Sequence, residues 1–278
     1  MTQADRADVL VVGFGPAGAS AAVEAADAGA DVLVLDKLPL ETALTGRHSR
    51  VHRSAADGLR AELRRTALEH GVRFRPQATV HELQIEGRQV IGAGYAAIGP
   101  ETAEAAWHRR LYRMSMHARQ SSDIVREVFT EAAERLWEES FVPGTVECAA
   151  VVLATPPSEW DFVAASLMPV VAADRHACAM LAPAQSQRTA LPVLQADPAS
   201  GAVSIAGGWP VVGLFSAAPG VSGRPPTDAE VVAAGRRAGR ACVRPDEPRP
   251  PDLLVAQGSA NDHQSVTSPL WMAKSRAI

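Results

Sequence analysis

Residues 8–36 constrain this chain most, because an apolar run, a glycine turn, an alanine-rich segment and a second apolar run follow one another there. Val9–Val12 is apolar throughout, as in a parallel strand buried on both faces. Gly13, Gly15 and Gly18 then spell G-x-G-x-x-G. Pro16 suits a helix start, where its missing N–H costs nothing, and the helix is expected to run to about Ala28. Val32–Leu35 is the next strand, ending on Asp36, eighteen residues after Gly18. Strand, glycine turn, helix, strand and terminal acid together make a dinucleotide-binding unit, where the glycines alone would be weak. Gly13 permits the tight turn, Gly15 lets backbone N–H groups approach a pyrophosphate, and Gly18 lets the helix pack closely on the strand. The helix N-terminus offers unpaired donors to phosphate. Asp36 is placed to accept from a ribose hydroxyl pair and to repel a 2′-phosphate. The first candidate cluster is therefore Gly13, Phe14, Gly15, Pro16, Ala17, Gly18, Asp36 and Lys37.

Composition narrows the partners. The chain has 278 residues, 47% of them hydrophobic, which suffices for one large domain with a proper core. A net charge of −4 leaves no basic footprint for nucleic acid or an acidic membrane surface. Cys148, Cys178 and Cys242 are widely spaced and without metal-ligand spacing, so they are expected to be buried, reduced thiols of a cytoplasmic protein. His108, His117, His176 and His263 show no triad or metal pattern either. No apolar run approaches a membrane span, and with a strand expected from Val9 no signal peptide is expected before it.

Beyond Asp36 the pattern predicts a loop over Lys37–Arg53, then a helix from about Ala56 to His70 closed by Gly71. Val72–Arg75, Thr79–Ile85 and Gln89–Tyr95 read as strands, with Glu86–Gly87 turning between the last two. Residues 101–140 read as two helices carrying many charges, and Cys148–Ala154 as another buried strand. Pro156–Gln195 gives no clear type. Val203–Ile205 and Val211–Phe215 read as strands around Gly207–Gly208, and Thr227 as the N-cap of a helix to Cys242. The organisation expected is a binding domain over 1–100, a helical insertion over 101–145, a return segment over 146–243 and an unstructured tail over 244–278.

Taken in order, several segments resemble one family of flavoproteins. They are Gly13–Gly18 with Asp36, Glu41-Thr42-Ala43-Leu44-Thr45-Gly46, the stretch from Leu59 to Gln89, Ala149–Thr155, and Pro210–Ala218 followed by Ala229–Gly239. Their succession is similar to the FAD-dependent fumarate reductase, succinate dehydrogenase and ketosteroid dehydrogenase superfamily. The resemblance implies an α/β Rossmann-like FAD-binding domain, a parallel sheet with a β-meander, whose cap domain is reduced to the short helical insertion. It adds Thr45, Gly46, Val80, Ala154, Thr155 and Gly213 to the cofactor-binding candidates. It further implies FAD as cofactor and hydride transfer between flavin and an activated C–C bond of a small, steroid-like or enone substrate.

The chain also departs from that family. It is much shorter, Ser-Gly-Gly is reduced to Thr45-Gly46-Arg47, and Pro156-Pro157 stand where glycines would offer backbone donors. Ketosteroid dehydrogenases resemble one another in using tyrosines for proton transfer. Here only Tyr95 and Tyr112 occur, and both read as packing residues. Arg47, His48, Arg50, His52 and Arg53 read as a solvated basic loop before a carboxylate clamp. Asp123, Glu127 and Glu134 read as the polar face of a helix. No catalytic residue is assigned. The alternatives are a shortened, non-catalytic flavin-binding protein and a flavin monooxygenase, against which stands the lack of Gly-Asp-Ala before the last helix.

Overall fold

The computed structural model describes residues 5–39, 55–118, 122–173, 193–205, 209–219 and 225–243. Its centre is made by the two apolar runs. Strands β2 (Val9–Val12) and β3 (Val32–Asp36) are buried along their whole length because both faces of the sheet are covered. They run parallel, with Val12 opposite Leu35, and α1 (Pro16–Asp27) makes the crossover. Helix α2 (Ala55–Glu69) leads to β4 (Arg73–Pro76), which pairs with β3 so that Pro76 stands opposite Asp36. On the other side of β2 the chain returns late. Strand β8 (Ala150–Leu153) places Leu153 opposite Val12, and β11 (Trp209–Ser216) places Ser216 opposite Leu153. The parallel order is β11-β8-β2-β3-β4, with the carboxyl ends Ser216, Leu153, Val12 and Asp36 on one edge.

The β-meander is β5 (Ala78–Glu86), β6 (Gln89–Ala97) and β7 (Val142–Glu147), antiparallel in succession. Short β1 (Asp5–Arg6) joins the far side of β7, while β9 (Leu194–Ala196) and β10 (Ala202–Ile205) continue from β11. Between β6 and β7 stand α3 (Ala103–Ala118) and α4 (Asp123–Ser140), the two helices expected of the insertion. A 3-10 turn over Pro157–Glu159 opens into α5 (Asp161–Ala173), and α6 (Asp228–Cys242) closes the described residues. The expected N-cap of α6 is present as a full capping box between Thr227 and Glu230. All described residues fall in one compact unit, Met1–Val243.

Strand alternation separates two cores. Val9, Val11, Val32, Val34 and Val152 face α1 and α6, while Leu10, Leu33, Leu35, Val151 and Leu153 face Trp160, Val163 and Leu167 around α5. Each fully buried leucine or valine contributes about 1.5–3 kcal/mol relative to exposure. Helix α6 can lie directly on α1 because Gly235 and Gly239 face it. A Cβ there would fall 2.1 Å from the Ala17 carbonyl oxygen and 2.3 Å from that of Ala21.

Several elements go beyond the sequence pattern, β7, α5 and β9 among them. Strand β7 contains Pro143-Gly144, a turn signal, yet Gly144 is there to seat the Tyr95 ring, whose Cζ would lie 2.5 Å from a Cβ. Helix α5 holds Pro169 and is apolar on nearly every side, which hides its period. Strand β9 has only three residues. Most of the Lys37–Arg53 loop, the Gly207–Gly208 turn and the tail over 244–278 lie outside the described residues.

Candidate dinucleotide-binding crevice

Strands β3 and β8 leave β2 in opposite directions along the sheet, so a crevice forms outside the carboxyl end of β2, the switch point where α/β sheets bind dinucleotides. The glycine turn fills it as the sequence requires. Gly13 adopts φ +98°, a left-handed conformation that favours glycine, and its N–H donates to Leu35 O at 2.8 Å. Gly18 has no room for a side chain, since a Cβ would sit 1.9 Å from Gly13 O. Gly15 differs: φ is −71° and a Cβ would meet nothing within 4 Å. Its missing side chain therefore opens space above the first turn of α1. Among the described residues no side chain caps that helix, and Pro16 stands at its start, so the N–H groups of its first turn have no intrahelical partner.

Beside the turn, Thr155 follows the end of β8. Its Cγ2 would lie 3.2 Å from a Cβ on Gly13, and its Oγ1 is buried with no hydrogen-bond partner among the described residues. An orphaned hydroxyl next to an uncapped helix and an open cradle fits an anionic bridge such as a pyrophosphate. Ala154 tethers this segment by donating its N–H to Val12 O at 2.9 Å. Pro156 and Pro157 start the 3-10 turn, and Trp160 Nε1 donates back to Thr155 O at 3.2 Å. These prolines build the entry to α5 rather than a second backbone cradle.

Asp36 is nearly buried, and both its carboxylate oxygens are already engaged. Oδ2 accepts from Phe14 N–H at 2.5 Å and Oδ1 from Leu38 N–H at 2.7 Å. Each carboxylate oxygen has a second lone pair, so acceptance from a ribose remains open, but the first task seen is bracing the turn. Arg64 completes that brace. From α2 it donates Nε–H to Phe14 O, with its guanidinium 5.3 Å from the centre of the Phe14 ring. Phe14 is thus held at N–H by Asp36 and at C=O by Arg64, and its ring packs on Phe74 at 4.7 Å. Burial pulls the Arg64 pKa down, against the Asp36 charge that raises it. Sequence reasoning missed Arg64; its signal is an arginine between Leu63 and Ala67 in the apolar stripe of α2.

The remaining candidates are spread out. Lys37 pairs with Glu159 at 3.1 Å across the crevice. Val80 is buried in β5, which pairs only with β6 among the described strands. Gly213 lies away from the edge, three residues before Ser216, at φ +79° and against Ala149 O, where a Cβ would come within 2.5 Å. Thr45 and Gly46 lie outside the described residues. Tyr95 is buried, and its hydroxyl donates to Asp5 at 2.6 Å while accepting from Arg75. Burial pushes the thiols of Cys148 and Cys242 up to about 12, which leaves neither as a nucleophile.

A family model described as an FAD binding domain matches residues 8–46. The match supports FAD as the cofactor. No curated protein matches the chain. Among solved structures, the flavin-dependent brominase Bmp2 is 16% identical with a TM-score of 0.32, over 55% of this chain and 39% of that one. A geranylgeranyl bacteriochlorophyll reductase-like protein from Thermoplasma acidophilum is 15% identical at 0.33, over 54% and 39%. Anhydrotetracycline hydroxylase OxyS from Streptomyces rimosus is 18% identical at 0.32, over 59% and 34%. The chain spans less than half the length of each. Among the described residues no helix is long and apolar enough to cross a membrane.

Proposed function

We propose that this chain is an FAD-dependent oxidoreductase acting on a small molecule, with hydride transfer to or from an activated C–C bond as its reaction. The observation that carries the reading is the crevice at the end of β2, where an uncapped helix, open space over Gly15 and the orphaned Thr155 hydroxyl face one another. Ala17 and Gly18 N–H groups and Thr155 Oγ1 would hold the pyrophosphate, and Asp36 the ribose. Lys37 would offset the phosphate charge, while the Val80 backbone would meet the adenine. The cofactor, when bound, supplies the two-electron chemistry. The chain's own part is to fix the phosphates on a turn braced by Asp36 and Arg64.

A second reading is flavin binding without turnover. It is favoured by Tyr95, whose hydroxyl is committed to Asp5 and Arg75 and is therefore unsuited to proton transfer. One experiment separates the two. The purified protein is supplied with FAD, its visible spectrum and released cofactor are recorded, and the bound flavin is tested for reduction or reoxidation by ketosteroids, enones and fumarate-like acids. Bound FAD with turnover supports the enzyme; bound FAD without any turnover favours the second reading. A protein that stays colourless with added FAD overturns both.

A further inference from the structure

A cleft of about 570 Å³ opens at the carboxyl ends of β8 and β11, next to the crevice, and its volume is that of a small-molecule site. Pro157, Trp160 and Ala164 form one wall, Leu194 another, and Ser216 and Ala218 the floor. Much of this lining is apolar. Trp160 ties it to the crevice, since the indole that lines the cleft also donates to the carbonyl of Thr155.

The charges in this lining are unevenly committed. Asp197 is spent on its own turn, where its carboxylate accepts from Ala199 N–H at 3.2 Å, Ser200 N–H at 2.9 Å and the Ser200 hydroxyl. Asp161 stands in the first turn of α5, where the helix dipole favours its charge. Arg237 is different. Helix α6 carries three arginines in this region: Arg236 and Arg240 grip Glu24 of α1 at 3.5 and 3.1 Å. Arg237 turns the other way, is half-buried on the cleft, and makes no ion pair among the described residues. A guanidinium partly removed from water and without an ion pair among the described residues favours an anion, and its planar fork favours carboxylate or phosphate.

We propose that this cleft is a small-molecule site separate from the dinucleotide crevice, which takes a largely apolar ligand through one anionic group held by Arg237. Its assignment as the substrate site rests on the oxidoreductase reading above; the anion site itself does not.

The full chain is titrated with 4-fluorocinnamate, its neutral amide and 4-fluorophenyl phosphate by fluorine NMR, with and without FAD, and FAD affinity is measured separately. Wild type is expected to bind the anions saturably and the amide at least tenfold more weakly. Arg237→Ala weakens the anions by about tenfold or more, the effect of losing a charged hydrogen bond, without moving the amide. Arg237→Lys recovers part of the loss, and a melting curve checks that each variant folds. The FAD affinity is expected to stay within about twofold in Arg237→Ala, as for a site that does not share the group. Whichever anion binds more tightly identifies the group. Anion binding that is absent from wild type, or indifferent to Arg237, overturns the proposal. So does mutual exclusion of FAD and cinnamate, or an FAD affinity that falls with Arg237→Ala, because the cleft would then belong to the cofactor. A protein that binds the anions as expected but no FAD keeps the anion site and sinks the oxidoreductase reading.

Discussion

Three glycines with one motif name have three different physical jobs, and substitution separates them. At Gly18 a methyl group would overlap the Gly13 carbonyl at 1.9 Å, so Gly18→Ala must push α1 off its strand. Overpacking of this kind costs about 1–3 kcal/mol or more, and a lowered thermal midpoint is expected with or without FAD. Gly15→Ala places its methyl in open space at an ordinary φ, so stability is expected to stay within about 0.5 kcal/mol. The same methyl enters the cradle, and FAD binding is expected to weaken by about 1.4 kcal/mol or more, a factor of ten. Equal FAD affinity in Gly15→Ala and wild type would remove the pyrophosphate from this turn. Asp36→Asn gives a third outcome: one amide end cannot accept, so a buried N–H of Phe14 or Leu38 is left unpaired at about 1–3 kcal/mol. The sequence carries the turn at Gly13 and the close packing at Gly18 because short motifs encode local backbone needs. It does not show Arg64, which reaches Phe14 across 50 residues of chain.

Elements were legible where their period was clean. The runs of β2, β3 and β8, the α3–α4 hairpin and the capped α6 follow from pattern and punctuation. Strand β7 and helix α5 do not, because Pro143-Gly144 and Pro169 carry local signals that tertiary packing overrides. The joining of elements was hidden as well. Lys37 after β3 and Glu159 after β8 belong to the strands on either side of β2, so their ion pair spans the crevice. Both side chains are more than a third exposed, and such a pair is worth about 0.2–1 kcal/mol. A bound phosphate would compete with Glu159 for the same ammonium. Glu159→Gln is therefore expected to tighten FAD by up to about fivefold at low salt, while Lys37→Gln weakens it. The measure is an FAD titration at two salt concentrations, and a weaker FAD complex in Glu159→Gln would show that the pair supports the cofactor instead.

Across the whole molecule, the helical insertion is tied to the sheet edge by the buried side chain of Gln77. Gln77 sits between β4 and β5 at φ +52°, fully buried, and receives the Ile98 N–H at its carbonyl. Its side-chain amide donates to Ala105 O at 3.2 Å and meets His108 Nδ1 at 2.8 Å, both on α3. A neutral His108 with its proton on Nε2 accepts that bond at Nδ1, whereas a protonated ring would set N–H against N–H. Burial lowers the pKa of His108 and, against the raising effect of Glu82, that of half-buried His81. A depressed histidine pKa means that the unfolded chain takes up the proton first. Stability is then unaffected well above pH 6.5, falls as pH drops through the ordinary histidine value, and levels off below the folded pKa. Each unit of depression corresponds to about 1.4 kcal/mol. Between pH 7.5 and 5.5 the thermal midpoint of wild type is expected to fall, and that of His108→Gln to fall less because one titrating group is gone. Melting curves of the two proteins at five pH values test this. Parallel slopes would mean that His108 does not couple the insertion to the sheet through its protonation state, and that the fall comes from His81 or the carboxylates.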